Sequence, residues 1–189
     1  MTAKITTENR IVRIALSGAA GTGKTSLIEA LEQKGMAVFH EYSRQLTQES
    51  VAQGSDVVPW DNLDAFTEKV IEKRAEQHAQ AANQSGPVVF DRTVMDSLAY
   101  YGRSPENWKP KWAQLCQDLR YDLVFITPPW REIYTVDSER WETFEHTLGV
   151  HEQLMDTYRH FGYTVVLVPK GTVQERVDFV KQTIYSFIS

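Results

Sequence analysis

With 189 residues, 42% of them apolar and 24% charged, the chain has the size and composition of one globular domain with a substantial core. A formal net charge of −5 argues against nucleic acid as the partner, since such partners are held through basic surfaces. Cys116 is the only cysteine, which excludes an internal disulfide or a cysteine-built metal cluster and points to a reducing compartment. Met1 to Arg10 lack the apolar centre of a signal peptide, and no apolar run approaches a bilayer span, so the expectation is a cytoplasmic protein without membrane insertion.

Residues 1–10 read as an N-terminal tail and 11–189 as a single domain, with no internal repeat, low-complexity tract or interior linker. Ile11–Leu16 is a mostly apolar run of the kind buried on both faces in a parallel sheet. A glycine-rich turn follows, then a helix carrying Leu27, Ile28 and Leu31, which Gly35 stops. Met36–His40 is a second short strand, and Glu49–Trp60 reads as loop. Asp61 is the expected N-cap of a long polar helix reaching Gln84, with Phe66, Val70 and Ile71 inward. Pro87–Phe90 is a third strand, followed by a helix through Leu98, Tyr100 and Tyr101 and a second helix from Pro110. Leu123–Ile126 is a fourth strand, ended by Pro128-Pro129; a charged stretch from Trp130 to Glu142 then leads into a helix closing near Gly162. Thr164–Val168 is the fifth strand, and Thr172 with Glu175 forms a capping box for the last helix. Strands alternating with helices predict a three-layer α/β fold, with right-handed crossovers and ligands at the carboxyl ends of the strands.

The chemistry gathers at those ends. Gly18-Ala19-Ala20-Gly21-Thr22-Gly23-Lys24-Thr25 follows a strand and opens a helix, the context of a phosphate-binding P-loop. Glycines let several backbone N–H groups turn toward phosphate oxygens, and the helix adds its positive end. Gly18, Ala19, Ala20, Gly21, Thr22, Gly23, Lys24, Thr25 and Ser26 are therefore the expected nucleotide-binding residues, for ATP or GTP. Lys24 would serve the outer phosphates, and the Thr25 hydroxyl would ligate Mg²⁺. Asp91, closing the third strand, is the second expected Mg²⁺ ligand, and its neighbour Arg92 would steady transferred charge. Glu41 ends the second strand at the same sheet edge and is placed to take the proton of an attacking hydroxyl. Arg44, close behind it, is a candidate for binding an acceptor, whereas His40 reads as structural. The Trp130–Arg140 stretch, with Arg131, Asp137, Glu139 and Arg140, reads as an arginine-bearing flap over the phosphates. Of the five tryptophans, Trp60 and Trp130 fall beside loops at the mouth, and the others read as core or rim.

Several blocks together resemble the NadR-type nicotinamide riboside kinase and AAA-like ATPase family, itself similar to the deoxynucleoside and thymidylate kinases. They are the loop Gly18–Thr25, Glu41, Phe90-Asp91-Arg92 with Asp96-Ser97-Leu98-Ala99-Tyr100, and Pro128-Pro129-Trp130 with Asp137-Ser138-Glu139-Arg140. The resemblance runs from Ile11 to Val180. It implies a five-stranded parallel sheet in the kinase-type order 2-3-1-4-5, with Asp91-Arg92 matching the acidic-Arg pair of nucleoside kinases and Glu41 the carboxylate after their second strand. Arg140 would match a lid arginine. The function expected is a kinase passing the ATP γ-phosphoryl to a hydroxyl of a small nucleoside-like acceptor. The alternative is a regulatory ATPase or GTPase switch without an acceptor. A guanine-specific switch motif of the Asn-Lys-x-Asp type is absent from the sequence, and Asp91-Arg92 stands where a hexameric motor ATPase carries two acids.

Overall fold

The computed structural model describes residues 10–134 and 143–189. Among these residues five strands form one sheet: β1 (Val12–Gly18), β2 (Ala37–Phe39), β3 (Pro87–Asp91), β4 (Leu123–Thr127) and β5 (Val165–Leu167). Their spatial order is β2-β3-β1-β4-β5, and every pairing is parallel. This is the three-layer P-loop fold in the kinase-type order.

Among the described residues seven α-helices flank the strands: α1 (Lys24–Gln33), α2 (Ser43–Ala52), α3 (Leu63–Gln80), α4 (Val94–Tyr101), α5 (Pro110–Asp118), α6 (Phe144–His160) and, after the last strand, α7 (Val173–Ile188). The two-residue period of each strand sorts its side chains between two cores. Val12, Ile14 and Leu16 of β1, with Val89 and Phe125, pack against Leu27, Ile28 and Leu31 of α1 and Val177, Val180 and Ile184 of α7. Ala15, Val88, Phe90, Val124 and Ile126 point to the other face, where α3 to α6 contribute Ile71, Leu98, Trp112, Leu154 and Tyr158. Cys116 is buried in that second core as a free thiol, and burial pushes its pKa above the usual thiol range.

Two local expectations need correction. Glu49–Ala52 belongs to α2 rather than to a loop. Only Leu46 and Ser50 of that helix are buried, so its sequence carries no apolar period to read. The N-cap of α3 is Asn62, whose side chain accepts the Ala65 N–H at 3.2 Å, and not Asp61. Asp61 is instead taken up in the preceding turn, its N–H bonded to Val58 O. The capping box of Thr172 and Glu175 on α7 is present, and Thr93 with Asp96 forms another on α4. No helix among the described residues is long and apolar enough to cross a membrane.

Candidate active site

The phosphate loop spans the step from β1 to α1 and is pinned from beneath by hydroxyls. Thr22 Oγ1 donates to Ala19 O at 2.9 Å and lies 2.7 Å from Thr127 Oγ1, which donates to Ser17 O at 3.2 Å. Thr127 ends β4, so the loop is tied to the neighbouring strand as well as to itself. Gly21 and Gly23 sit at φ +74° and +71°, where side chains are strained. A Cβ on Gly21 would come within 2.6 Å of the Tyr134 ring, so the 130–134 turn closes directly over the loop.

Lys24 Nζ donates to Asp91 Oδ1 at 2.6 Å, and both side chains are more than nine-tenths buried. Strand order makes this pair: β1 and β3 are neighbours in register Leu16↔Asp91, so the start of α1 faces the end of β3. Arg92, next in the chain, has φ +71° and is the one non-glycine residue with positive φ among the described residues. Its N–H continues the ladder to Leu16 O at 3.1 Å. Such a backbone is costly for a residue with a Cβ and persists where the surroundings impose it.

The surroundings of Arg92 are charged. Its Nε lies 2.9 Å from Glu41 Oε1, as an ion pair without the alignment of a hydrogen bond. Its Nη1 donates to Tyr100 Oη at 3.2 Å and lies 3.5 Å from Asp96 Oδ1. Burial opposes this charge, but Glu41 and the neighbouring acidic groups outweigh it, so the guanidinium pKa is raised well above its ordinary value. Burial also opposes ionisation of Glu41, and here too the partners prevail. Arg92 first, then Lys24, the 2.5 Å hydrogen bond from Ser43 Oγ, and Arg74 hold its carboxyl far below the usual range.

Asp96, fully buried on α4, anchors this wall. It accepts from Ser17 Oγ at 2.5 Å, from Tyr158 Oη at 2.6 Å and from the Thr93 N–H at 2.9 Å. One carboxylate thereby joins β1, α4 and α6. Arg74 of α3 is also buried and donates to Thr93 O at 2.9 Å and Ser97 Oγ at 2.6 Å.

Two clefts meet at these residues. The larger, about 710 Å³, is lined by the loop from Ala19 to Ser26, by Trp130 and Ile133, and by the Gly171–Val173 turn with Glu175 and Arg176. The second, about 400 Å³, lies under α2 and α3, with Thr47, Leu63, Phe66, Val70, Arg74 and Tyr100 among its walls. Ala20, Glu41, Arg44 and Arg92 line both.

A family model described as an AAA domain matches residues 13–176, most of the chain. The chain belongs to that AAA-domain family. A search of curated protein sequences finds no match. Among solved structures, this AAA-domain chain is similar to NadR in complex with NR, at TM-score 0.73 and 21% identity over 94% of its length. It spans 51% of the NadR chain. It is also similar to deoxyadenosine kinase from M. mycoides with products dCMP and dCDP, at TM-score 0.66 and 16% identity, covering 93% of this chain and all of that one. A third is thymidylate kinase from Ehrlichia chaffeensis, at TM-score 0.56 and 19% identity over 92% and 98% of the two chains. At these identities the likeness is one of fold.

Of the residues expected from sequence, Lys24, Glu41, Asp91 and Arg92 come together, and Ala19 to Ser26 line the larger cleft. Gly18 is not part of that lining; it packs against Thr127. Arg131 is exposed, pairs with Glu145 at 3.1 Å and stacks over Phe144 at the start of α6, and is not among the residues lining the cleft. Trp130 and Ile133 line the cleft instead, whereas Trp60 is exposed beside the cleft-lining Pro59. Arg140, Asp137 and Glu139 lie outside the described residues. Phe66 lines the second cleft rather than the core, and His40 pairs with Glu32 at the surface. Sequence reasoning missed Arg74, Thr127, Tyr158 and Arg176. Three of the four are polar groups on otherwise apolar strand or helix faces, which is the one signal that singles them out.

Proposed function

We propose that this protein is a kinase that transfers the terminal phosphoryl group of ATP to a hydroxyl of a small nucleoside-like acceptor. The observation that carries this reading is the second cleft. It has room for a nucleoside-sized molecule, its walls mix apolar with polar groups, and it meets the phosphate-loop cleft at Glu41 and Arg92. A switch protein needs only the first cleft. The likeness to nucleoside, NadR and thymidylate kinase structures supports the same reading.

In this reading the N–H groups of the loop and Lys24 hold the outer phosphates, which requires Lys24 to share its ammonium between Asp91 and the nucleotide. Thr25 at the cleft and Asp91 would hold Mg²⁺. Among the described residues no three His, Cys, Asp or Glu side chains gather into a metal cage. That fits an ion held largely by phosphate oxygens and water with one carboxylate and one hydroxyl. Such an ion neutralises charge on the phosphates when bound. Arg92, buried at the junction of the clefts, stays cationic and faces the position where the transferred group carries its charge.

Glu41 accepts the hydrogen bond of the acceptor hydroxyl and orients its oxygen for attack. A carboxyl held this acidic is a weak proton acceptor in the ground state. In a loose transition state the proton leaves late, so orientation matters more than basicity. Glu41→Gln is therefore expected to lower acceptor-dependent transfer by about 10²-fold, the lower end of the usual 10²–10⁴, with a smaller loss in acceptor-free ATP hydrolysis. The measurement is steady-state transfer from Mg·ATP to a panel of nucleosides and related ribosides, for both proteins. Equal losses in the two rates, or no stimulating acceptor, would favour the regulatory NTPase instead.

A further inference from the structure

Arg176 takes no part in the charge network of the two clefts. It belongs to the first turns of α7, is 3% exposed, and reaches the phosphate loop. There Nη2 donates to Thr22 O at 3.1 Å and Nη1 to Gly23 O at 3.2 Å. The approach is close enough that a Cβ on Gly23 would lie 2.6 Å from Nη1. Among the described residues no carboxylate pairs with this guanidinium, and its buried Nε has no hydrogen-bond partner.

We propose that Arg176 is a positioning residue of the phosphate site, holding two loop peptides so that the N–H groups of Gly23 and Lys24 face the nucleotide's phosphates. The proposal rests on the reading that the loop binds a nucleotide. A trans peptide is planar, with its C=O and N–H on opposite sides. Fixing the carbonyls of Thr22 and Gly23 therefore fixes the amide hydrogens of Gly23 and Lys24. The planar fork of arginine suits two adjacent carbonyls better than a single-point ammonium does. Charge supplies the second reason. A buried cation held only by carbonyl dipoles is an expensive brace, and a neutral side chain would serve a purely structural purpose at lower cost. Arg176 lines the loop cleft, so phosphates bound there bring the missing negative charge. Through the two peptides the guanidinium also polarises the N–H groups that meet it.

The test titrates wild type, Arg176→Met and Arg176→Lys with Mg·ATP and with magnesium tripolyphosphate, each protein well below its own melting temperature. Arg176→Met is expected to weaken both ligands by the same factor, about tenfold or more. The ligand-induced NMR shifts of the Gly23 and Lys24 amides should shrink with it. Arg176→Lys keeps the cation and reaches one carbonyl, so it recovers part of the affinity. A lower melting temperature with unchanged affinities would overturn the proposal and leave a structural brace. Loss of ATP affinity with tripolyphosphate binding intact would overturn it in favour of a contact to the base. If wild type binds neither ligand, the nucleotide reading itself falls and the proposal with it.

Discussion

The two clefts share one edge of the sheet, yet they are built in opposite ways. The phosphate loop is made by eight consecutive residues whose conformation is local: glycines at positive φ, Thr22 bonded three residues back to Ala19, and a helix starting at Lys24. The wall of the second cleft draws Glu41, Arg74, Arg92, Asp96, Tyr100 and Tyr158 from distant parts of the chain and joins them through buried charge. The loop is a backbone device that needs tethers at Thr127 and Arg176. The wall is a side-chain device, and its stability and its geometry are one property.

That contrast predicts where damage spreads. Asp96→Ala should give the largest effect on folding, because Ser17, Thr93 and Tyr158 would each lose an acceptor in a dry interior. Removing one partner of such a buried network costs on the order of 3–5 kcal/mol. For a domain of this size that is a fall in melting temperature of roughly 6–20 °C, at about 2–4 °C per kcal/mol. Calorimetry checks it. A fall of a degree or two would mean that the wall is not held together through this carboxylate.

Lys24→Met should act chiefly on ligand binding. Loss of the ammonium is expected to weaken Mg·ATP by about 1.5–3 kcal/mol, the range for hydrogen bonds to charged groups. It also strands Asp91, buried and without its partner, so the empty protein should lose stability too. The double variant Lys24→Met, Asp91→Leu removes both charges and should regain stability without regaining affinity. Denaturant unfolding beside titration separates the two. If the double variant regains affinity, the loop binds its ligand through backbone alone.

The same contrast explains what could be read from the sequence. The loop was legible because its residues are adjacent and its context, strand before and helix after, is local. Sheet order followed from the family resemblance and is the order found. Glu41, Asp91 and Arg92 were legible as polar residues ending apolar strands; Asp91 pairs with Lys24, and Arg92 with Glu41. Arg74 and Arg176 were passed over: each lies on the apolar face of its helix, but an arginine there also reads as surface until the fold buries it. Helix α2 was missed because just two of its residues, Leu46 and Ser50, are buried, and one of those is polar. The pairing of Arg131 with Glu145 and Phe144 was not legible, because position in the chain does not reveal such contacts.

The smallest expected effect probes how finely the wall tunes Glu41. Ser43, the first residue of α2, donates to Glu41 Oε1 at 2.5 Å. Ser43→Ala removes one hydrogen bond to a charged group that still keeps Arg92, so the cost is modest, about 1.5 kcal/mol, the lower end of the range for such bonds. Its signature lies in pH. The folded pKa of Glu41 is depressed below its ordinary 4.5, so its contribution to stability is fully present above about pH 4.5 and is lost as pH falls through the folded value. The stability difference between wild type and Glu41→Gln should therefore be level from pH 8 to about pH 5 and decline below pH 4.5. Ser43→Ala raises the folded pKa, so in that background the decline is smaller and ends at a higher pH. Urea titrations at a series of pH values read both curves. Superimposable curves would show that the cations Arg92, Lys24 and Arg74 hold Glu41 ionised without help from the Ser43 hydroxyl.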